Sequence, residues 1–150
     1  MISYSKPDLT QHPPRSPRVR LGGYVMLPRS IDKARAKITG KLGEYLFPHT
    51  MDKWLLEFLG LDGDAFSEAV KTGKSDGDML AWIKENAKPK RADWEIAAWS
   101  QWFENLTPGD ARRHGLTADW ITKNAPTRDD LHTFIDRLDL DDYISFGGKP

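Results

Sequence analysis

The side chains best suited to chemistry lie in one stretch, Pro13-Pro14-Arg15-Ser16-Pro17-Arg18-Val19-Arg20-Leu21-Gly22-Gly23-Tyr24. A guanidinium is a fixed planar charge that grips carboxylate or phosphate through two parallel hydrogen bonds. Proline stiffens the backbone that carries it, and glycine lets main-chain amides approach a partner closely. Arg15, Arg18, Arg20 and the following Arg29 are therefore candidates for an anion clamp. The amides of Gly22 and Gly23 would line a nest, with Tyr24 or Tyr45 beside it. The competing reading is structural: the same arginines can pair with an acidic surface of their own chain, and both readings stay open. No Gly-x-Gly-x-x-Gly or Gly-Lys-Ser/Thr loop accompanies them, so this is not a nucleotide-binding loop. Pro14-Arg15-Ser16-Pro17 has minimal PxxP spacing, a short and common pattern.

An acidic counterpart exists. Residues 1–41 hold nine basic side chains against two acids, a net +7, and a formal net charge of zero leaves −7 for the rest. Asp129, Asp130, Asp136, Asp139, Asp141 and Asp142 face only Arg137 in their stretch. A clasp is expected in which Arg18 or Arg20 reaches Asp139, Asp141 or Asp142. The alternative places a site between the arm and Asp139–Tyr143, where an aspartate or Tyr143 moves a proton. The aspartates lack the spaced oxygen ligands and glycine of a calcium loop, and Asp62-Gly63-Asp64 reads as a turn and helix cap. His12, His49, His114 and His132 are scattered without His-x-x-x-His spacing, and there is no cysteine. No metal and no cofactor is expected, and no Gly-x-Ser-x-Gly elbow supplies a nucleophile. Lys33, Arg35, Lys37 and Lys41 form a basic helix. Zero net charge favours a solvated face there over a nucleic-acid surface.

The elements that must position these groups are helical. Five of the ten prolines fall in residues 1–29, which predicts an irregular arm, with Tyr24–Leu27 as a short extended segment docked on the core. Ser30 is placed as an N-cap, with Ile31, Ala34 and Ile38 on one face of the helix that follows. Further helices are predicted over Met51–Leu59, around Ala65–Lys71 and over Asp76–Ala87, the last opened by Ser75 and Asp78. In a helix over Ala92–Leu106, Trp94, Trp99 and Trp102 read as core, as does Trp54 earlier. Thr107-Pro108 starts a helix that Gly115 breaks, with another turn or two over Thr117–Asn124. Pro126-Thr127 opens the last helix, whose stripe is Leu131, Phe134, Ile135 and Leu138.

The sum is an all-α, single compact domain of about five to seven helices over residues 1–150. It divides into an arm (1–29), a helical body (30–143) and a Gly-Gly tail (144–150). Charged residues at 29% and apolar residues at 39% fit a globular chain. Apolar runs of five residues at most exclude a membrane helix. Absent cysteine and the lack of an apolar leader lead to the expectation of a cytoplasmic protein.

Arm and tail together resemble the bacterial domain-of-unknown-function family 5069. The likeness is carried by Asp8-Leu9-Thr10, residues 13–24, Leu27-Pro28-Arg29, Asp32-Lys33-Ala34-Arg35, Gly40-Lys41-x-Gly43-Glu44-Tyr45 and Leu138–Lys149. The resemblance implies one domain whose two ends form the family signature, with the middle as scaffold, and it carries over no catalytic residue. The leading expectation is a binding module whose arginine cluster takes an anionic small molecule or an acidic protein surface. A small cytoplasmic enzyme and a weak nucleic-acid binder are the alternatives.

Overall fold

The computed structural model describes every residue from Met1 to Pro150. Seven helices and one two-stranded hairpin make up its regular structure, so the chain is essentially all-α. It divides into two compact units, Met1–Ser100 and Gln101–Pro150.

The first unit opens with β1 (Arg20–Leu21) and β2 (Tyr24–Val25), then α1 (Leu27–Ile38), α2 (Thr50–Leu59), α3 (Gly63–Lys71) and α4 (Asp76–Asn86). Helix α5 (Asp93–Glu104) runs across the division. The arm is thus less irregular than expected. Arg20 lies opposite Val25 and Leu21 opposite Tyr24 in an antiparallel ladder too short to show as alternation in the sequence. The connection is Gly22-Gly23, with φ of 59° and 84°. A two-residue type I′ turn needs positive φ at both positions, which glycine supplies without a Cβ penalty.

Helix α1 starts at Leu27, three residues before the expected cap Ser30. Pro28 lies in the first turn, where a missing N–H costs nothing because no helical partner exists for it. Met26 caps the helix with φ 68°, the one non-glycine residue with positive φ. Its N–H donates to the Pro17 carbonyl at 2.9 Å, and its carbonyl accepts the Ser30 N–H. Those bonds and a fully buried side chain offset a backbone cost of about 1–2 kcal/mol. Helix α1 packs on α3, and α3 on α4. Leu55, Leu59, Phe66, Met79 and Ile83 are fully buried in this unit. Ser75 and Asp78 form the reciprocal cap at α4 that the sequence announces.

The aromatic helix α5 forms, but turned. Trp94 is 73% exposed and Trp102 50% exposed, whereas Ile96, Ser100 and Phe103 are buried. Trp54 and Trp99 are half-buried, and Trp99 stacks on Phe58 with centroids 5.0 Å apart. Apolar residues surround α5, so periodicity alone allows either face inward. Ser100 favours the observed one: its hydroxyl donates to the Gly23 carbonyl at 2.7 Å and accepts the Val25 N–H at 3.2 Å.

The second unit contains α6 (Ala111–Asn124) and α7 (Phe134–Ser145). Helix α6 runs straight through Gly115; a glycine costs a helix only about 1 kcal/mol, less than is needed to break it. Asp110 caps it, accepting the Arg113 N–H at 2.8 Å. Helix α7 begins at Phe134 rather than near Pro126. Thr127 and Asp130 have the spacing of a capping box, but Arg128 holds the Asp130 carboxylate through two bonds of 2.6 and 2.7 Å. Thr133 and Asp136 form the box instead: the Thr133 N–H donates to Asp136 at 2.9 Å and the Asp136 N–H to the Thr133 hydroxyl at 3.1 Å. The helix continues two residues into the expected tail. Gly148 then closes it, its N–H donating to the Tyr143 carbonyl at 2.8 Å.

Candidate functional site

Arg15 is held by two carboxylates. Its Nε and Nη2 donate to Asp32 Oδ2 and Oδ1, both at 2.9 Å, the bidentate fork a planar guanidinium favours. Nη1 donates to Asp76 Oδ2 at 2.6 Å, and the Arg15 main-chain N–H adds a 3.0 Å bond to Asp32 Oδ2. Arg35 completes the cluster from the next turn of α1, 3.0 Å from Asp76 and donating to the carbonyls of Tyr4 and Lys74. Asp32 is wholly buried and Arg15 mostly so. Burial works against the Arg15 charge, but the bonds to Asp32 and Asp76 outweigh it and hold the guanidinium above its ordinary value. For Asp76, burial pushes its carboxyl up. The hydrogen bond from Arg15 and the charges of Arg15 and Arg35 push harder, so the net shift is downward. Arg15 is therefore the rivet that fastens the arm to α1 and to the start of α4.

A second buried cluster involves other residues of α1. Lys33 Nζ lies 2.5 Å from Asp52 Oδ2 and donates to the Leu46 carbonyl at 3.2 Å. Ser30 donates to Asp52 Oδ1 at 2.6 Å, and the His49 N–H donates to Oδ2 at 2.9 Å. Ser30, Lys33 and Asp52 are all buried. The expected solvated basic face of this helix is thus largely engaged within the first unit. Lys33 pairs with Asp52, Arg35 with Asp76, Lys37 donates to the Phe47 carbonyl at 2.9 Å, and Lys41 lies 3.4 Å from Asp8. The physical reason is that carbonyls of the 40–49 loop and acids on α2 and α4 fold over that side of α1.

The remaining candidates separate by exposure. Arg29 is buried, donates to the Arg15 carbonyl at 3.2 Å and lies 5.6 Å from the Tyr45 ring centroid. Tyr24 is buried in β2, and burial raises its phenol above the ordinary value. Gly22 and Gly23 are exposed at the hairpin turn, which leans on Leu80 and Ile96. Arg20 is exposed on β1, and Arg18 is exposed two residues before it, in the turn that follows Pro17. Asp139, Asp141, Asp142 and Tyr143 follow one another on α7, with Asp142 buried and Tyr143 exposed.

The sequence reading missed Asp32, Asp52, Asp76 and Ser100 as organising residues. Asp32 carried a signal: apart from Asp8 it is the only acid among the first 41 residues, and an acid in so basic a surrounding is a natural hub. Asp52 and Asp76 each sit in the first turn of a helix, where an acid is common in any case. Ser100 carried none.

No group of histidine and acidic side chains is arranged to hold a metal ion, and no helix is long and apolar enough to cross a membrane. Comparison with curated proteins finds no match. The matched family is described as Domain of unknown function (DUF5069), and the match covers residues 11–144, from the approach to Arg15 through the end of Asp139–Tyr143. Arm, buried ion pairs and acidic last helix all fall inside that span, and the chain belongs to this family.

Proposed function

We propose that the chain is a binding module and that its hairpin is the recognition element, with Arg18 and Arg20 taking an anionic small molecule or an acidic protein surface. The observation that carries this reading is the exposure of Arg20 on a hairpin that is itself fixed, with Arg18 exposed two residues before it. Ser100 holds its second strand and turn, and Met26 ties its far end to Pro17. A fixed hairpin that presents a guanidinium group loses little backbone freedom on binding. Exposed Gly22 and Gly23 leave main-chain amides close to those charges.

The test is a calorimetric titration with a panel of phosphorylated and di- or tricarboxylated metabolites at low and moderate salt. Saturable binding that weakens with salt and drops at least about tenfold in Arg18→Ala/Arg20→Ala supports the reading. Urea unfolding of the same variant supplies the control. A destabilised variant whose loss is coupled, in double-mutant cycles, to Asp139→Asn, Asp141→Asn or Asp142→Asn would assign the arginines to closure of the chain and overturn it.

A further inference from the structure

We propose a second ligand site on the first unit, in the cavity between α2 and the start of α3, for a small molecule carrying both an amino group and a carboxylate. The cavity measures about 370 Å³, within the range of small-molecule sites, which starts at about 300 Å³. Its apolar wall is Pro48, Leu56 and Leu61. Four polar side chains on it, Lys53, Glu57, Asp64 and Ser67, form no hydrogen bond or ion pair within the protein.

Lys53 and Glu57 are the informative pair. They stand one turn apart on α2, the spacing at which opposite charges normally meet, yet they form no ion pair. Lysine preceding glutamate is the weaker orientation of that pair. The two charges therefore stay separate on the cavity wall, one cation and one anion over the same apolar floor. A ligand with a single charge leaves one sign of the lining unanswered: Asp62 and Asp64 join Glu57 as its acids, and Lys37, which donates to the Phe47 carbonyl, joins Lys53. A zwitterion satisfies both: its carboxylate meets Lys53, and its amine meets Glu57 or Asp64. The start of α3 brings Asp64 to the amine end, its own N–H already taken by Asp62. Gly63 keeps that end open, since a Cβ there would stand 3.5 Å from Pro48 and 3.6 Å from Leu56, an ordinary contact that narrows the floor.

The experiment is a nitrogen-15 NMR titration of the full chain with glycine, 4-aminobutyrate and 6-aminohexanoate, against butyrate and n-butylamine as single-charge controls. The expected result is saturable shifts at Lys53, Glu57, Gly63 and Asp64 with at least one zwitterion. That zwitterion should bind at least about tenfold more tightly than either control, the energy of one ion pair. Lys53→Ala and Glu57→Ala, both exposed and without intramolecular partners, should each weaken binding about tenfold without changing the fold. Gly63→Ala should weaken it by crowding the floor. Arg18→Ala/Arg20→Ala should leave it unchanged, which separates this site from the hairpin. Absence of saturable shifts, equal shifts with the single-charge controls, or unchanged binding in both charge variants would each overturn the proposal.

Discussion

Asp52 shows how much one buried carboxylate can organise. It accepts from Ser30, Lys33 and the His49 main chain, and it has no solvent exposure. Asp52→Ala should cost about 3–5 kcal/mol, because an ammonium is left in the interior without its partner. Urea unfolding reads that loss directly. Ser100→Ala should cost less, about 1–3 kcal/mol, by stranding the Gly23 carbonyl and the Val25 N–H. Hydrogen exchange at Val25 should accelerate in that variant, and unchanged protection would show that Ser100 does not hold the hairpin. At this scale the arginines were legible as a cluster of consequence. Their division was not: Arg15 is bound by Asp32 and Asp76, and the second of these lies 61 residues away. No local pattern reports a contact of that separation.

Helix boundaries depend on which of several competing local signals wins. Thr133 captured the start of α7 because Asp130 was already held by Arg128. Ser30 is not the cap because α1 already begins at Leu27 behind Met26, and inside the helix its hydroxyl donates to Asp52. Both residues have the right chemistry to cap a helix, so sequence alone ranks them by type rather than by partner. Close approach is the other element-scale constraint. Gly60 ends α2 with φ 63°, and a Cβ there would fall 1.7 Å from the Lys88 carbonyl oxygen, main chain against main chain. Gly60→Ala should cost more than about 2 kcal/mol and displace the 87–90 loop. Gly73→Ala, also at positive φ but with open space around it, should cost only about 1 kcal/mol. Equal melting temperatures for the two variants would refute the packing argument.

For the whole molecule, the acidic limb of the stability curve follows from the aspartates. Asp76 is lowered from its ordinary 3.8 by Arg15 and Arg35 against the opposing effect of burial, and Asp130 is lowered to about 2, chiefly by its bond from Arg128. A carboxylate whose folded value is depressed contributes stability that is present above its unfolded value and lost as pH falls through the folded one. Stability should therefore hold above pH 4 and fall progressively from there toward pH 2. Asp76→Asn should start lower and lose less over that interval, and a parallel acid limb in the two proteins would contradict the assignment. What the sequence determined by itself was the helical class, most helix positions, the Ser75–Asp78 cap and the arginine-rich arm as the region of interest. These follow from periodicity, propensity and composition, which act over a few residues. Only the tertiary structure decided the rest. It turned α5 so that Trp94 faces solvent while Ser100 meets the hairpin, and it drew Lys33 inward to Asp52. It also took Arg15 into the protein while leaving Arg18 and Arg20 exposed. Those choices rest on charges and hydrogen bonds between segments far apart in the chain, whose strength depends on burial that no single segment creates for itself.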